Sequence, residues 1–209
     1  MSGTTNSTRI SLRRQETISE IVAAAWDLNR ANGLGNFSMR ELGTKVGMRA
    51  QSIYSYFRSK NEIFDAMFCD GNLALIETMQ PSSGDGSDSE DQLELIAAMM
   101  RRFFQFCTSD PVRYQLLFQR TIPDFTPSEE SFAVAQQAYD ISLAPLRRLG
   151  LEGSELDLIT AVMAGLVGQQ ISNDPHGNRW GLLIDQATSM LLKELVPDHI
   201  APLIKGNSK

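Results

Sequence analysis

The side chains best suited to specific hydrogen-bond chemistry cluster in one short polar stretch of this chain. They are Arg49, Gln51, Ser52 and Ser55. A helix over about 49–55 would present them on one side while Ile53 points inward. Forked and short donors at this spacing suit base edges and phosphates in a DNA major groove. The pattern therefore predicts a recognition helix.

The residues before this stretch predict the element that positions it. Ser38-Met39-Arg40-Glu41 has the form S-x-x-E, in which serine and glutamate cap a helix start reciprocally, so a helix should begin at about Met39. Gly47 should end it, because glycine adopts positive φ at little cost. Gly43 is small enough to let a second helix approach closely. These features predict a helix-turn-helix.

The residues after the recognition helix suit phosphate binding. Tyr54 and Tyr56 can keep their rings against the core and offer hydroxyls to phosphate oxygens. Ser59-Lys60-Asn61-Glu62 is a second S-x-x-E box, which starts a long helix. A cation in a first helical turn opposes the helix dipole, so Lys60 is best explained by a phosphate bound there.

Gly33 to Phe68 resembles the DNA-binding domain of the TetR (tetracycline-repressor-like) family of bacterial regulators. The run from Phe37 to Leu42, the pair Val46-Gly47 and the run from Ile53 to Lys60 carry this resemblance. Tyr-x-Tyr-Phe-x-x-Lys after a glycine turn is its most specific part. Arg49 departs from the family pattern, since a capping Ser or Thr is usual there. Losing such a cap costs about 1 kcal/mol.

The residue types and the resemblance together predict two kinds of DNA contact. We expect Gln51, Ser52 and Ser55 of the recognition helix to read the bases, with Arg49 close behind. Phosphate binding is assigned to Ser38, Arg40, Tyr54, Tyr56 and Lys60. The resemblance implies a homodimer that reads a palindromic double-stranded operator with two such helices.

Composition limits the class of protein. The chain has 209 residues and a net charge of −6, yet residues 1–60 hold nine basic and four acidic residues. A positive N-terminal end on an acidic body fits DNA binding. No apolar run is long enough for a membrane span, and no signal peptide is evident. Cys69 and Cys107 lie in apolar contexts, which favours a reduced, cytoplasmic protein.

The whole chain is predicted to be all-α, with about nine helices and no strand pattern. We expect a helix-turn-helix domain over 1–59, with a disordered arm over about 1–12, and a regulatory and dimerisation domain over 60–209. Helices are expected over about 13–32, 60–79, 90–109, 110–120, 127–149, 154–172 and 179–196, besides the two short ones. The resemblance implies the same layout.

Two further sites are expected in the regulatory domain. The last two helices carry small and apolar faces that suit a dimer interface: Ala161, Ala164, Gly165, Gly168, Trp180, Leu183, Ile184, Ala187 and Leu191. The resemblance implies an apolar cavity for a small-molecule effector, and its candidate lining is Phe68, Met100, Phe103, Phe104, Tyr114, Phe118, Tyr139 and Gln169. Side chains of these types are more often simply core, and the alternative for the dimer face is packing within the chain.

Other classes of function receive less support. The two histidines, His176 and His199, lack partners at metal-binding spacing, and the cysteines form no CxxC pair. No catalytic, phosphate-loop or dinucleotide motif is present, so we expect neither an enzyme nor a cofactor. The alternatives are a helical small-molecule-binding or interaction protein of the same fold without operator-specific DNA binding, and a transcriptional activator.

Overall fold

The protein is described by a computed structural model covering residues 3–80 and 92–196. These residues form nine α-helices, one 3-10 helix and no strand, which confirms the all-α fold. The α-helices are α1 (Gly3–Asn32), α2 (Met39–Lys45), α3 (Ala50–Ile53), α4 (Lys60–Met79), α5 (Gln92–Ser109), α6 (Pro111–Phe118), α7 (Glu129–Arg147), α8 (Ser154–Asn173) and α9 (Ile184–Leu195). The 3-10 helix, η1, is Gly181–Leu183.

Several helix ends differ from the sequence prediction. α1 begins at Gly3 and includes most of the predicted arm, because extending an existing helix costs far less than nucleating one. Met1 and Ser2 lie outside the described residues. α7 begins at Glu129 because the Ser128 hydroxyl accepts from the Ser131 N–H and caps the helix there. The last helix is split into η1 and α9.

The chain divides into two compact units. The first comprises Met1–Gly71 and Gln115–Phe132, and the second comprises Asn72–Tyr114 and Ala133–Lys209. This division runs through α4 and does not coincide with the predicted functional boundary at 59/60, which remains a prediction.

The core of the first unit joins α1, α2, α3 and the start of α4. Its fully buried side chains include Ile21, Leu42, Ile53, Ile63 and Met67. Two polar groups brace this core. The Trp26 indole donates to Asp70 at 2.8 Å, and buried Asn29 donates to Ala25 O while accepting from the Gly35 N–H. The Trp26–Asp70 bond joins α1 to α4, and the Asn29–Gly35 bond fixes the connection between α1 and α2.

The second unit is organised around α5, which packs against α8 and α9. Buried Gln170 on α8 holds the connection to η1: its amide donates to the carbonyls of Asp174 and Gly177, and its oxygen accepts from the Trp180 N–H. Because Trp180 is held in this loop by its bond to Gln170, the helix predicted over 179–196 starts later, with η1 followed by α9. Gln170 is therefore an internal brace.

Two further features bear on the protein class. Among the residues described, no helix is long and apolar enough to cross a membrane, and no His, Cys, Asp or Glu cluster could hold a metal ion. Both cysteines are free thiols. Burial raises the pKa of the Cys107 thiol to about 12, although Arg113 opposes the shift.

Candidate nucleic-acid interface

The start of α2 is fixed by the predicted capping box. The Ser38 hydroxyl accepts from the Glu41 N–H at 3.2 Å, and the Glu41 carboxylate accepts from the Ser38 N–H at 2.7 Å and from its hydroxyl at 2.8 Å. These bonds hold the pKa of the Glu41 carboxyl below its ordinary value. The reciprocal bonds set where α2 begins and therefore where the turn must follow.

Two glycines shape the turn between α2 and α3, as the sequence predicts. Gly47 adopts a φ of +69°, which favours glycine. Gly43 lies where the two helices approach most closely: a β-carbon there would stand 2.7 Å from Met48 O and 3.1 Å from Ala50 N. Both neighbours are backbone atoms, so only glycine allows this separation between the helices.

Helix α3 presents the expected donors to solvent. Ile53 is fully buried, and this anchor leaves Arg49, Gln51, Ser52 and Ser55 exposed. The helix is shorter than predicted, with Arg49 at its N-cap and no side-chain cap bond. The backbone turns again after Ile53, whose carbonyl accepts from both the Tyr56 and Phe57 N–H groups. Ser55 also donates its hydroxyl to Ser52 O at 2.7 Å.

The predicted phosphate-binding residues lie around α3 and differ in how exposed they are to solvent. Ser38 and Arg40 are exposed, Tyr54 is 45% exposed and Tyr56 is half-buried. Ser38 uses its hydroxyl in the capping box. Arg40 and Tyr54 are the most accessible of these groups to a partner molecule.

Arg14 is a neighbour of this surface that sequence reasoning missed. Its guanidinium lies 5.0 Å from the centroid of the Tyr56 ring and donates to Ser55 O at 3.4 Å. It is exposed and places a further cation beside the end of α3. The only signal available in the sequence was its basic charge, because 41 residues separate it from Ser55.

Lys60 makes internal contacts that the sequence did not predict. Its ammonium donates to Gly35 O at 2.5 Å and to Phe37 O at 2.7 Å, and lies 4.4 Å from the Phe37 ring centroid. Partial burial lowers the pKa of the ammonium, and the nearby Glu41 carboxylate opposes that shift. These acceptors explain a cation in the first turn of α4 without a phosphate.

The helix start at α4 follows only half of the predicted second box. The Glu62 N–H donates to the Ser59 hydroxyl at 3.2 Å, as expected. The Glu62 carboxylate accepts from the Arg58 N–H at 2.7 Å instead of reaching Ser59. Arg58 and Ser59, which precede α4, are therefore both hydrogen-bonded to Glu62 in its first turn.

The predicted effector-pocket residues do not line one cavity. Phe68 and Phe118 line a cavity in the first unit, whereas Phe104 lines a smaller one of about 170 Å³ in the second. Met100 and Tyr114 are buried in the core, while Tyr139 and Gln169 are exposed. Phe103 lines none of these cavities. Side-chain type alone did not reveal which way each residue points.

The predicted dimer residues fall mostly on an outward face. Ala161, Ala164 and Gly165 are exposed on α8, Leu183 is exposed on η1, and Gly168, Trp180, Ala187 and Leu191 are half-buried. Ile184 is 1% exposed and packs inside its own chain, so it offers little surface to a partner. A dimer face at these residues remains a prediction.

Comparison with known proteins places this geometry in a family. Residues 21–67 match the family of bacterial regulatory proteins, tetR family. The HTH-type transcriptional repressor Rv1353c of Mycobacterium tuberculosis is 27% identical over 223 residues, covering 91% of this chain and 82% of the relative. The matched region contains α2, α3 and the turn between them.

Solved structures share the fold at lower identity. One is the transcriptional regulator FadR from Bacillus subtilis in complex with stearoyl-CoA, with a TM-score of 0.59, 18% identity and coverage of 83% of this chain and 96% of that one. Another is a TetR variant from Acinetobacter baumannii in complex with minocycline, with a TM-score of 0.54, 17% identity and coverage of 85% and 97%. The chain thus carries, at residues 21–67, a region that matches the tetR family of bacterial regulatory proteins, and it shares its all-α fold with solved regulators.

Proposed function

We propose that this protein is a cytoplasmic, homodimeric repressor that binds a palindromic operator and is released by a small, largely apolar effector. The observation that carries the DNA-reading part is the anchoring of α3. Fully buried Ile53 fixes the helix, and the backbone beside Gly43 fixes its separation from α2. The exposed donors of α3 therefore have a defined position from which to enter a major groove.

The donors divide into base-reading and phosphate-binding groups. Gln51, Ser52 and Ser55 with Arg49 read base edges, because they project from the exposed side of α3. Arg40, Tyr54 and Tyr56 hold phosphates, with Ser38 at the capped start of α2. Lys60 contributes chiefly by holding the loop before α2 in place, since its ammonium bonds to two carbonyls of that loop.

Dimerisation uses the outward face of α8, η1 and α9. Gly165 and Gly168 have open space where a β-carbon would be, and Leu182 is 76% exposed beside Leu183. Glycine inside a helix costs about 1 kcal/mol relative to alanine, and a closely packed second helix would account for it. A second copy of this chain supplies such a helix by two-fold symmetry.

The effector and repressor roles rest on relatives. The Mycobacterium tuberculosis relative is named a repressor, and the Bacillus subtilis structure holds stearoyl-CoA. A compact dimer that covers a promoter needs no further surface to repress transcription, which favours repression over activation. The alternative of a regulator-like protein without operator binding is disfavoured by the exposed donors on α3.

Selection of bound duplexes from a random DNA pool tests this function. The purified protein should enrich an inverted repeat whose half-sites are spaced so that two recognition helices lie on one face of the duplex. Enrichment of such a repeat by a protein shown to be dimeric supports the proposal. A confirmed dimer that enriches no sequence at low salt, where phosphate contacts are strongest, contradicts operator-specific binding.

A further inference from the structure

A cavity of about 500 Å³ lies within the first compact unit, which also contains the helix-turn-helix. Its wall includes Phe68 of α4, Phe118 at the end of α6, and Phe125 and Phe132 beyond it. Phe118 is 44% exposed and Phe132 is 55% exposed, so the cavity communicates with solvent on that side. Its size and aromatic wall suit a small organic molecule.

The segment between α6 and α7 forms one wall and is fastened to α4. Phe125 packs edge-on against Phe64 and Phe68, with ring centroids 6.0 and 6.4 Å apart. The Asp65 carboxylate accepts from the Ser128 N–H at 2.7 Å and from its hydroxyl at 2.8 Å, and from the Ser131 hydroxyl at 3.0 Å. A molecule entering the cavity must therefore contact a segment that is held by α4.

The same aromatic contacts lead to the start of α2. The Phe64 ring packs edge-on against the Phe37 ring at 5.9 Å. The Phe37 carbonyl accepts from Lys60, and the next residue, Ser38, caps α2. A continuous series of packed side chains therefore joins the cavity wall to the helix that positions α3, all inside one compact unit.

The charged residues of the wall favour an anionic molecule. Arg120 and Glu129 both line the cavity. Glu129 lies in the first turn of α7, where the helix dipole stabilises a carboxylate. Arg120 is exposed and lies just after the end of α6. Within residues 3–80 and 92–196, no helix start accounts for its charge as the start of α7 does for Glu129. A guanidinium in a cavity wall that also carries aromatic rings is suited to the carboxylate or sulfonate group of a partly apolar molecule.

We propose that this cavity binds an apolar monoanion, with its aromatic or acyl part among Phe68, Phe118 and Phe132 and its anionic group at Arg120. Occupancy displaces Phe125 from α4 and acts on α2 through Phe64 and Phe37. This rests on the proposed function, and it assigns the effector site to the unit that holds the DNA-binding helices. The ligand shifts DNA affinity only as far as it prefers the displaced arrangement.

Paired fluorescent probes test the site independently of DNA. Anilinonaphthalene sulfonate carries one anionic group, and N-phenylnaphthylamine is its uncharged counterpart. Phe132→Ala should weaken both probes, because it removes part of the exposed aromatic wall. Arg120→Gln should weaken the sulfonate by about tenfold and leave the neutral probe unchanged.

Matched controls separate the cavity from the general surface. Leu73→Ala removes an exposed apolar side chain elsewhere, and Arg148→Gln removes an exposed arginine outside the cavity. Both should leave the two dissociation constants unchanged. The site assignment is overturned if Arg120→Gln and Arg148→Gln behave alike, if Phe132→Ala has no effect, or if the wild type binds neither probe.

Linkage to DNA is measured with a duplex selected by the wild-type protein. Saturating sulfonate should weaken duplex binding by about fivefold or more. Phe125→Leu keeps apolar bulk but removes the aromatic edge packing, so it should still bind the probe while the ratio of duplex affinities falls close to one. Ser128→Ala, which removes one donor to Asp65 together with the hydroxyl that caps α7, provides a second variant that changes the ratio in the same direction.

The two measurements fail separately. Probe binding that follows the variants while no duplex is bound supports the cavity site and contradicts the proposed regulatory function. Transmission through Phe125 is contradicted if the probe leaves the duplex affinity of the wild type unchanged. It is also contradicted if the probe weakens duplex binding by Phe125→Leu as much as it does for the wild type. If the probe weakens duplex binding by the wild type but not by Phe125→Leu, both the cavity site and the route through Phe125 are supported.

Discussion

The ammonium of Lys60 donates to the Phe37 carbonyl at 2.7 Å while standing 4.4 Å from the centroid of the Phe37 ring. A second bond of 2.5 Å joins it to Gly35 O. The first turn of α4 is thereby tied to the loop that leads into α2. Because this loop sets the start of α2, Lys60 helps to hold the proposed DNA-reading surface in position.

Replacing Lys60 with methionine should destabilise the protein, because it leaves two loop carbonyls without their donor. We expect a loss of about 1–3 kcal/mol in the free energy of unfolding, measured by denaturant titration. Lys45→Met is the matched control, since Lys45 pairs with Asp27 at the surface and should contribute at most about 1 kcal/mol.

The salt dependence of DNA binding separates the two roles of Lys60. If Lys60 bound a phosphate directly, Lys60→Met would flatten the slope of log affinity against log salt by about one unit. We expect the slope to stay near the wild-type value while overall affinity falls. Unchanged stability together with a flattened slope would contradict the internal role.

Gly43→Ala should separate α2 from α3. The new β-carbon would stand 2.7 Å from Met48 O, and a backbone atom cannot yield as a flexible side chain would. We expect about 1–3 kcal/mol of destabilisation and weaker binding to the selected duplex. Thr44→Ala, on the exposed neighbouring position, should change stability by no more than about 0.5 kcal/mol. Equal behaviour of the two variants would show that the close approach is not required.

The sequence was sufficient to predict the local features of this surface. Gly43, Gly47 and the Ser38–Glu41 box were all predictable, because their roles depend on neighbours a few residues away. The partners of Lys60 were not, since the acceptors are backbone carbonyls 23 and 25 residues earlier and carry no sequence signature. Of the predicted pocket residues, Phe68 and Phe118 border the cavity in the first unit, whereas Met100 and Tyr114 are buried in the core. Composition identifies apolar side chains, but tertiary packing decides which of them border a void.

The capping box should make stability depend on pH. Hydrogen bonds from Ser38 lower the pKa of Glu41 below its ordinary value of 4.5 in the folded protein. The unfolded chain therefore takes up the proton first as pH falls, and the contribution of Glu41, complete above pH 4.5, is lost as pH passes through the folded pKa. Glu41→Gln should be less stable than wild type at neutral pH, and the two proteins should converge under acid. Stability profiles that stay parallel from neutral pH to acid would refute this contribution.

Gly165→Leu tests the proposed dimer face. A β-carbon at Gly165 would meet nothing within 4 Å in the isolated chain, and the position is exposed, so the protomer should fold normally. Sedimentation should show a larger monomer fraction than wild type, because the leucine blocks the close approach of a second α8. Gln137→Leu, at an exposed position on α7, controls for the added surface leucine. A dimer as tight as wild type would exclude Gly165 from the interface.

The central claim is that α3 reads base edges, and duplex selection with Gln51→Ala tests it most directly. Gln51 is exposed on α3 and takes no part in the core, so the variant should fold as the wild type does. Removing a base contact costs about 1–3 kcal/mol of discrimination at its own position. We predict that the variant enriches the wild-type inverted repeat with one position in each half-site degenerate. An enriched motif identical to that of the wild type would contradict base reading by Gln51.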